Sequence, residues 1–175
     1  MSYWVQGLGI ALSLLLSGCS LGAFPLKAET ATVVQAQQHL GQRLPIAAEA
    51  TIAGQAIQLE VAKTPEQQAM GLMYRTSLPD NQGMLFAFTP ARPVRFWMKN
   101  CQMSLDMIFV RGGVVQAVAA NTPPCQAEPC PTYGPNVTVD QVIELRGGRA
   151  AELGVKAGDR IAIRWLEFPP AQPAP

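Results

Sequence analysis

Three polar residues lie inside the most aromatic and apolar part of the chain outside its N-terminus. Lys99 and Asn100 belong to the aromatic stretch 95–101, and Asp106 lies in the apolar stretch 105–110. A polar side chain among large apolar neighbours is either buried and paired or placed to contact a ligand. We predict that residues 94–101 form the strand around which the domain is organised, so these residues lie at its centre.

Two interpretations of this polar set remain open. In the first, Asp106 forms a structural ion pair with Arg75 or Lys99 at the edge of the core. In the second, Lys99 and Arg75 donate hydrogen bonds to an anionic or sugar-like ligand, and Trp97 or Tyr133 forms a stacking wall. The candidate ligand-binding residues are then Lys99, Asn100, Asp106, Arg75, Trp97 and Tyr133.

The cysteines allow several arrangements. Cys125 and Cys130 lie close together in a proline-rich loop, and in an exported protein they are predicted to form a disulfide. Alternatively, Cys101 pairs with one loop cysteine, or all three bind zinc, against which export and oxidation argue. A nucleophilic Cys101 would need a base. The lone histidine, His39, lies far upstream and Lys99 is a weak substitute, so we expect no metal site and no catalytic cysteine.

A pair of carboxylates would support a different function, the hydrolysis of a glycosidic bond. Asp106 and Glu144 are the plausible pair because both lie in predicted strands. Nothing in their local sequence distinguishes them from ordinary strand residues. The chain shows no phosphate loop, nucleotide-binding fingerprint or Gly-x-Ser-x-Gly motif, so we expect no cofactor.

The composition limits the classes of partner. The chain has 175 residues, of which 49% are hydrophobic and 14% charged, with a net charge of +1. This length allows one domain with appendages, and the apolar content is sufficient for a core. The charge balance does not indicate nucleic acid as a partner.

The N-terminus indicates export. Residues 1–18 contain a short apolar run followed by Leu16-Ser17-Gly18-Cys19, which resembles the lipobox of bacterial lipoproteins. The resemblance implies cleavage before Cys19, its lipidation, and anchoring to a membrane of the bacterial envelope that faces the periplasm or the exterior. No Lys or Arg precedes the apolar run, so an ordinary signal peptide or signal anchor stays an alternative. Residues 19–50 are predicted to be a tether.

The remaining pattern predicts a single, mostly β domain over residues 51–168, followed by a disordered tail at 169–175. We expect about seven strands and two short helices, in a small barrel or a curled antiparallel or mixed sheet. Gly112-Gly113 predicts a hairpin between strands 105–110 and 114–119. Prolines at 90 and 93 are expected to end a central strand at 84–88. The other predicted elements are strands 57–61, 139–145 and 161–165, and a helix at 148–153. A further helix is predicted to start with a capping box of Thr64 and Gln67 and to run from 67 to about 74.

Several motifs occur in the order seen in the family called domain of unknown function 192. They are Gly71-Leu72-Met73-x-Arg75, Gly83-Met84-Leu85-Phe86, Phe96-Trp97-Met98-Lys99-Asn100, Leu105-Asp106-Met107-Ile108-Phe109, Val142-Ile143-Glu144-Leu145 and Gly158-Asp159. The resemblance covers about residues 57–166. It implies a small, mostly β domain, often in secreted or membrane-attached bacterial proteins, and no established activity. Cys101 stands where this family usually carries threonine.

These observations lead to a hypothesis about function. We expect a lipid-anchored envelope module without catalytic activity that binds a small ligand or a partner protein. The alternative is an envelope hydrolase acting on polysaccharide or a related substrate. A concave site in which Lys99, Asp106 and Tyr133 converge would favour ligand binding or catalysis. A flat apolar patch would favour a protein partner.

Overall fold

The computed structural model describes residues 41–166, which contain nine strands and two short helices. The predicted signal peptide, Cys19, His39 and the C-terminal tail lie outside these residues. No helix among residues 41–166 is long and apolar enough to cross a membrane. The elements are β1 (Ile46–Ile52), β2 (Gln55–Ala62), α1 (Pro65–Met70), β3 (Gln82–Arg92), β4 (Phe96–Trp97), β5 (Leu105–Arg111), β6 (Val114–Thr122), β7 (Thr132–Tyr133), β8 (Val139–Arg146), α2 (Arg149–Glu152) and β9 (Ala162–Trp165).

Seven strands form one sheet in the order β6-β5-β8-β3-β2-β1-β9, and β4 pairs with β7 in a separate two-stranded ribbon. The pairs are antiparallel except β2 with β3, which are parallel and joined through α1. The predicted mostly β fold is therefore confirmed as a mixed sheet. The sheet does not close into a barrel. Within residues 41–166, β6 and β9 do not pair, and an isolated bridge joins Val114 of β6 to Arg160, which precedes β9.

The central strands bury both faces of the sheet, so each face carries its own apolar cluster. Ile108 and Ile143 belong to one face, which we call the α2 face because Ala150 of α2 packs there. Met107 and Val142 belong to the other, which we call the ribbon face because side chains of β4 and β7 pack against it. Alternation along β5 and β8 assigns each neighbouring residue to one face or the other.

The start of α1 was predicted correctly, but its end was not. Thr64 accepts a hydrogen bond from the Gln67 amide at 3.2 Å, and the Gln67 side chain accepts one from the Thr64 amide at 3.1 Å, so the capping box forms. The helix ends at Met70 rather than at Tyr74, because Gly71 takes a φ of +48°.

The hairpin around Gly112-Gly113 is confirmed by the antiparallel pairing of β5 with β6, with φ angles of +55° and +75° at the two glycines. By contrast, the predicted strand 94–101 is wrong, since only Phe96–Trp97 are paired. The chain turns immediately afterwards, where Asn100 has a φ of +56° and the Cys101 amide bonds to the Met98 carbonyl.

Two predicted boundaries also need correction. Strand β3 continues to Arg92 despite the prolines. Its pairing with β8 is irregular between Ala87 and Arg92, so Pro90, which lacks an N–H, lies where no regular ladder hydrogen bond is required. The sheet begins at β1, within the segment assigned to the tether. The alanine-rich sequence of β1 carries little strand signal, yet Ala48 and Ala50 are fully buried between neighbouring strands.

Candidate functional site

An open cleft of about 420 Å³ lies on the ribbon face, between α1 and the segment that runs from the end of β3 through β4. Polar and apolar groups contribute nearly equal parts of its wall, and aromatic rings form much of the apolar part. Its principal lining residues are Gln68, Phe86, Phe88, Arg92, Arg95, Phe96 and Trp97. Small-molecule sites are usually concave surfaces in which apolar walls are combined with polar groups that fix the orientation of the ligand.

Phe96 is the fixed centre of this wall. Its ring meets those of Phe86 and Phe109 edge to face, at centroid distances of 5.0 and 6.0 Å. Pairing of β4 with β7 sets Phe96 opposite Tyr133. The next residue, Gly134, approaches so closely that an added Cβ would lie 2.5 Å from the Val94 carbonyl oxygen, so only glycine fits there.

Two exposed arginines line the outer part of the cleft. The Arg92 guanidinium carbon lies 5.0 Å from the centroid of the Phe88 ring. Arg95 donates hydrogen bonds to the Gly134 carbonyl and to Oδ1 of Asn136. Within residues 41–166, neither arginine has an acidic partner within 4.0 Å, so the outer cleft is positively charged.

The inner end of the cleft adjoins a recess of about 30 Å³, which shares Gln68, Phe86, Phe96 and Trp97 with it. The recess reaches Cys101 and Glu144. This volume is enough for a water molecule or one small polar group. Gln68 is held in place because its side-chain amide donates to carbonyl oxygens of both β2 and β3, at 3.3 and 3.2 Å.

Glu144 is the most unusual polar residue at the site. It lies at the centre of β8, level with Met84 on one neighbouring strand and Met107 on the other, and it is only 4% exposed. Its Oε2 atom is buried and has no hydrogen-bond partner among residues 41–166. Desolvation raises the pKa of Glu144 from 4.5 to about 8, so the carboxyl is mostly protonated at neutral pH.

Cys101 faces the same recess and is a free, half-buried thiol. Desolvation, followed by the charge of Glu144, raises the pKa of Cys101 to about 12, which disfavours the reactive thiolate. The predicted disulfide between Cys125 and Cys130 is confirmed, so neither the pairing of Cys101 with a loop cysteine nor the three-cysteine zinc site forms. No group of three or more potential metal ligands occurs in the described part of the chain.

Asp106 has a structural environment on the opposite face of the sheet. Its carboxylate accepts hydrogen bonds from the backbone amides of Asn121, Gly148 and Ala150, at 2.6, 3.0 and 2.6 Å. The predicted ion pair with Arg75 or Lys99 is therefore replaced by bonds to backbone amides. Asp106 lies with Ile108 on the α2 face and Glu144 with Val142 on the ribbon face, so the proposed hydrolytic pair does not share a cleft.

The other predicted residues are also separated. Arg75 is buried and pairs with Glu60 at 2.8 Å. Lys99 pairs with Glu128 at 2.7 Å, and its ammonium lies 5.3 Å from the centroid of the Trp97 ring. Among the six candidates, Trp97 lines the cleft, and Tyr133 supports it through pairing with Phe96. Arg75, Lys99, Asn100 and Asp106 do not converge on it.

Comparison with known proteins now identifies the family. The model of the family described as Uncharacterized ACR, domain of unknown function 192, matches residues 48–163. The chain belongs to this family. A comparison with curated proteins gives no match.

Two crystal structures resemble this member of the domain of unknown function 192 family. One is a protein of unknown function from Novosphingobium aromaticivorans DSM 12444, 36% identical, covering 66% of this chain and 83% of that chain with a TM-score of 0.60. The other is a protein from Sinorhizobium meliloti 1021, for which a role as a transcription regulator has been proposed. It is 34% identical and covers 69% of this chain and 97% of that chain, with a TM-score of 0.59.

Since the domain of unknown function 192 family carries no assigned reaction, the cleft has to be interpreted from its own residues. Sequence reasoning singled out Trp97 but considered Glu144 only as a hydrolytic partner for Asp106. A signal was present, because Val142, Ile143 and Leu145 indicate a strand buried on both faces. A glutamate inside such a run must be buried, and it therefore needs either a partner or a function.

Proposed function

We propose that this protein is a lipid-anchored module of the bacterial cell envelope that binds a small organic ligand in the aromatic cleft. One observation carries the proposal: the cleft leads past Phe96 and Trp97 to the buried carboxyl of Glu144, whose Oε2 atom has no partner among residues 41–166. A buried polar group without a partner is costly, and a ligand that pairs with it recovers that free energy on binding.

Binding without catalysis agrees best with the side chains around the recess. A carboxylate pair for hydrolysis would require a second acid near Glu144, and Asp106 lies on the other face. The neighbouring thiol of Cys101 has a raised pKa and no adjacent histidine among residues 41–166. The hydrolase alternative was based on Asp106 and Glu144 as a pair, and their separation does not support it.

The envelope location is supported by one feature of the sequence and one of the structure. Leu16-Ser17-Gly18-Cys19 follows a short apolar run, as in a lipoprotein signal. The disulfide between Cys125 and Cys130 is typical of an oxidising compartment. Cys19 would carry the acyl chains, and the folded domain would face the periplasm or the exterior.

The regulatory role proposed for the Sinorhizobium relative is not extended to this protein. DNA binding requires a basic surface that neutralises phosphates. Here Arg146 and Arg149 pair with acidic side chains, and Arg164 pairs with Glu49. The net charge of the whole chain is only +1.

A thermal-shift screen of the full-length chain in detergent tests ligand binding. The library should contain sugars, peptidoglycan fragments, organic acids, amines and peptides. A ligand present at about 100 times its Kd stabilises the folded state by about 2.7 kcal/mol. We expect a hit whose stabilisation disappears in Trp97→Ala.

The chain offers a matched control for this variant. Trp165 is exposed by 49% and Trp97 by 47%, but Trp165 lies on β9, away from the cleft. Stabilisation by the same ligand should therefore persist in Trp165→Ala. Hits that respond equally to both substitutions, or a screen without hits, would contradict the proposed cleft function.

Lipid anchoring has a separate test. Cells that express the wild-type chain or Cys19→Ser are labelled with an alkyne analogue of palmitate and then fractionated. We expect the wild-type chain to incorporate the label and to sediment with membranes. Equal labelling of Cys19→Ser would show that the anchor is not at Cys19.

A further inference from the structure

The two ends of the cleft differ in charge, and this difference narrows the class of ligand. The outer part carries Arg92 and Arg95, which lack acidic partners within the described residues. The inner recess ends at the carboxyl of Glu144, whose Oε2 atom has no partner among those residues. A ligand that satisfies both ends needs an anionic group outside and a cationic or hydrogen-bonding group inside.

The recess favours a small cation over a neutral group. Its wall includes the rings of Phe86, Phe96 and Trp97, and π-faces attract cations as well as apolar groups. The volume of about 30 Å³ admits an ammonium group but not a guanidinium with its wider plane. No basic side chain lines the recess to neutralise Glu144 from within the described chain.

We infer that the ligand is a small zwitterion whose primary ammonium group enters the recess and pairs with Glu144, while its anionic group lies beside Arg92 and Arg95. This inference rests on the proposed function, since it specifies the ligand of the same cleft. The apolar wall between the two ends accommodates an aliphatic or aromatic linker. Cys101 and the Gln68 side chain are the other polar groups of the recess.

The strand register gives the approximate length of the linker. Glu144 lies opposite Met84 in the pairing of β8 with β3, and Val139 lies opposite Arg92. Five residues along β8 separate these two levels, which corresponds to about 16 Å between their backbones. The Arg92 guanidinium reaches back over the Phe88 ring, 5.0 Å from its centroid, and so shortens this gap. A ligand with a chain of roughly five carbon atoms then spans the remaining distance between the Glu144 carboxyl and the Arg92 guanidinium.

Proton release accompanies this mode of binding. The protonated carboxyl of Glu144 loses its proton to solvent, and the resulting carboxylate pairs with the ammonium group of the ligand. Affinity should therefore rise as the pH increases towards 8, where the pKa of Glu144 lies, and then level off. Cys101 is the other titratable group of the recess, and with its pKa raised to about 12 it keeps its proton over this range. The residues that face Glu144 from α1, β3 and β5 are not titratable.

Four probes of equal length test the inference by calorimetry on the full-length chain. They are 5-aminopentanoate, n-pentylamine, pentanoate and n-pentanol, which differ only in their end groups. We expect 5-aminopentanoate to bind tightest and n-pentylamine next, with the amine binding about tenfold more tightly than n-pentanol. At pH 7, the heat measured in buffers of different ionisation enthalpy should reveal release of close to one proton.

Two isosteric variants locate the interaction. Glu144→Gln should weaken both amines by about tenfold or more, whereas Glu152→Gln, which changes an exposed carboxylate outside the cleft, should leave them unchanged. Thermal unfolding verifies that each variant is folded. Arg92→Gln should reduce the advantage of 5-aminopentanoate over n-pentylamine and leave the affinity for n-pentylamine unchanged, because Arg95 remains beside the anionic group.

Several outcomes would overturn the inference. Equal affinity for n-pentanol and n-pentylamine, tighter binding of pentanoate, or unchanged amine affinity in Glu144→Gln would each exclude ammonium recognition. If the broader screen finds a Trp97-dependent ligand without an amine and these probes do not bind, the cleft function stands and the zwitterion inference fails. If no compound binds in the cleft, both fail.

Discussion

The two faces of the central sheet each bury a carboxyl group, and the two groups differ in their hydrogen-bond partners. On the α2 face, Asp106 is fully buried and accepts three backbone hydrogen bonds that join β5 to β6 and to the start of α2. On the ribbon face, Glu144 is almost as deeply buried, yet Oε2 has no partner in the described chain. The first carboxylate stabilises a turn, whereas the second lies beside an open recess.

A third acid completes the comparison. Glu60 lies on β2, and both of its carboxylate oxygens have partners, Arg75 at 2.8 Å and the Leu44 amide at 2.7 Å. Burial alone therefore does not identify a functional acid in this fold. The informative property is burial without a partner, next to space that a ligand can enter.

The largest effect is expected from removing the partner of Glu60. Arg75→Met leaves Glu60 as a second buried carboxylate without a cation and should lower the free energy of unfolding by about 3–5 kcal/mol. Urea denaturation at pH 7 measures this loss. The double variant Glu60→Leu, Arg75→Met should recover most of it. A loss that persists in the double variant would mean that packing, rather than charge, accounts for the effect.

Asp106→Asn should cost about 2–3 kcal/mol. Oδ1 of Asp106 accepts from Asn121 and Gly148, and the asparagine oxygen can keep both bonds. The new amide group then faces the Ala150 amide, which donated to Oδ2, so two donors oppose each other. Asp159→Asn, where one exposed Lys156 amide is involved, is the control and should cost less than about 1 kcal/mol. Similar losses of stability in both variants would contradict the larger contribution of Asp106 to the fold.

Glu144→Gln should stabilise the protein at alkaline pH. The pKa of Glu144 is raised from 4.5 to about 8 in the folded state, so wild-type stability is complete below pH 4.5 and falls as the pH rises towards 8. A difference of one in pKa between the folded and unfolded states corresponds to about 1.4 kcal/mol, and we expect the variant to exceed the wild type by at least about 2 kcal/mol at pH 8. Chemical denaturation at pH 5 and pH 8 measures the difference. Parallel pH profiles for the two proteins would contradict it.

Lys99→Ala should have the smallest effect. Lys99 and Glu128 form a surface pair whose side chains are 41% and 59% exposed, so its loss should leave the midpoint of urea denaturation nearly unchanged. Ligand binding in the cleft should be retained, because Lys99 lines neither the cleft nor the recess. Loss of ligand binding in Lys99→Ala would instead support a binding site formed by the residues predicted from the sequence.

The sequence predicted those parts of the fold that depend on local pattern. Local patterns indicated the Gly112-Gly113 hairpin from its two glycines and the start of α1 from its capping box, and the short spacing of Cys125 and Cys130 in an exported chain indicated their disulfide. They failed for β1, whose alanines form a strand only because β2 and β9 cover them. They also failed for residues 94–101, where aromatic content indicated a strand but the chain turns after Trp97.

The candidate site was harder to predict than the fold because it depends on which face of the sheet each side chain occupies. Asp106 and Glu144 are both strand residues, and a shift of one position decides whether they meet or are separated by the sheet. The register of β5 with β8 sets Met107, not Asp106, opposite Glu144. No local pattern specifies that register, since it depends on contacts between distant parts of the chain.

The pairing of β1 with β9 has a consequence for the order of folding. Ala48 pairs with Trp165, and these residues lie near opposite ends of the described chain. Hairpins such as β5–β6 close short loops and can form early, whereas β9 must wait for the β1 edge to be in place. Amides of β9 should therefore exchange with solvent faster than those of β8. This edge would be the first part of the sheet to open and the last to form.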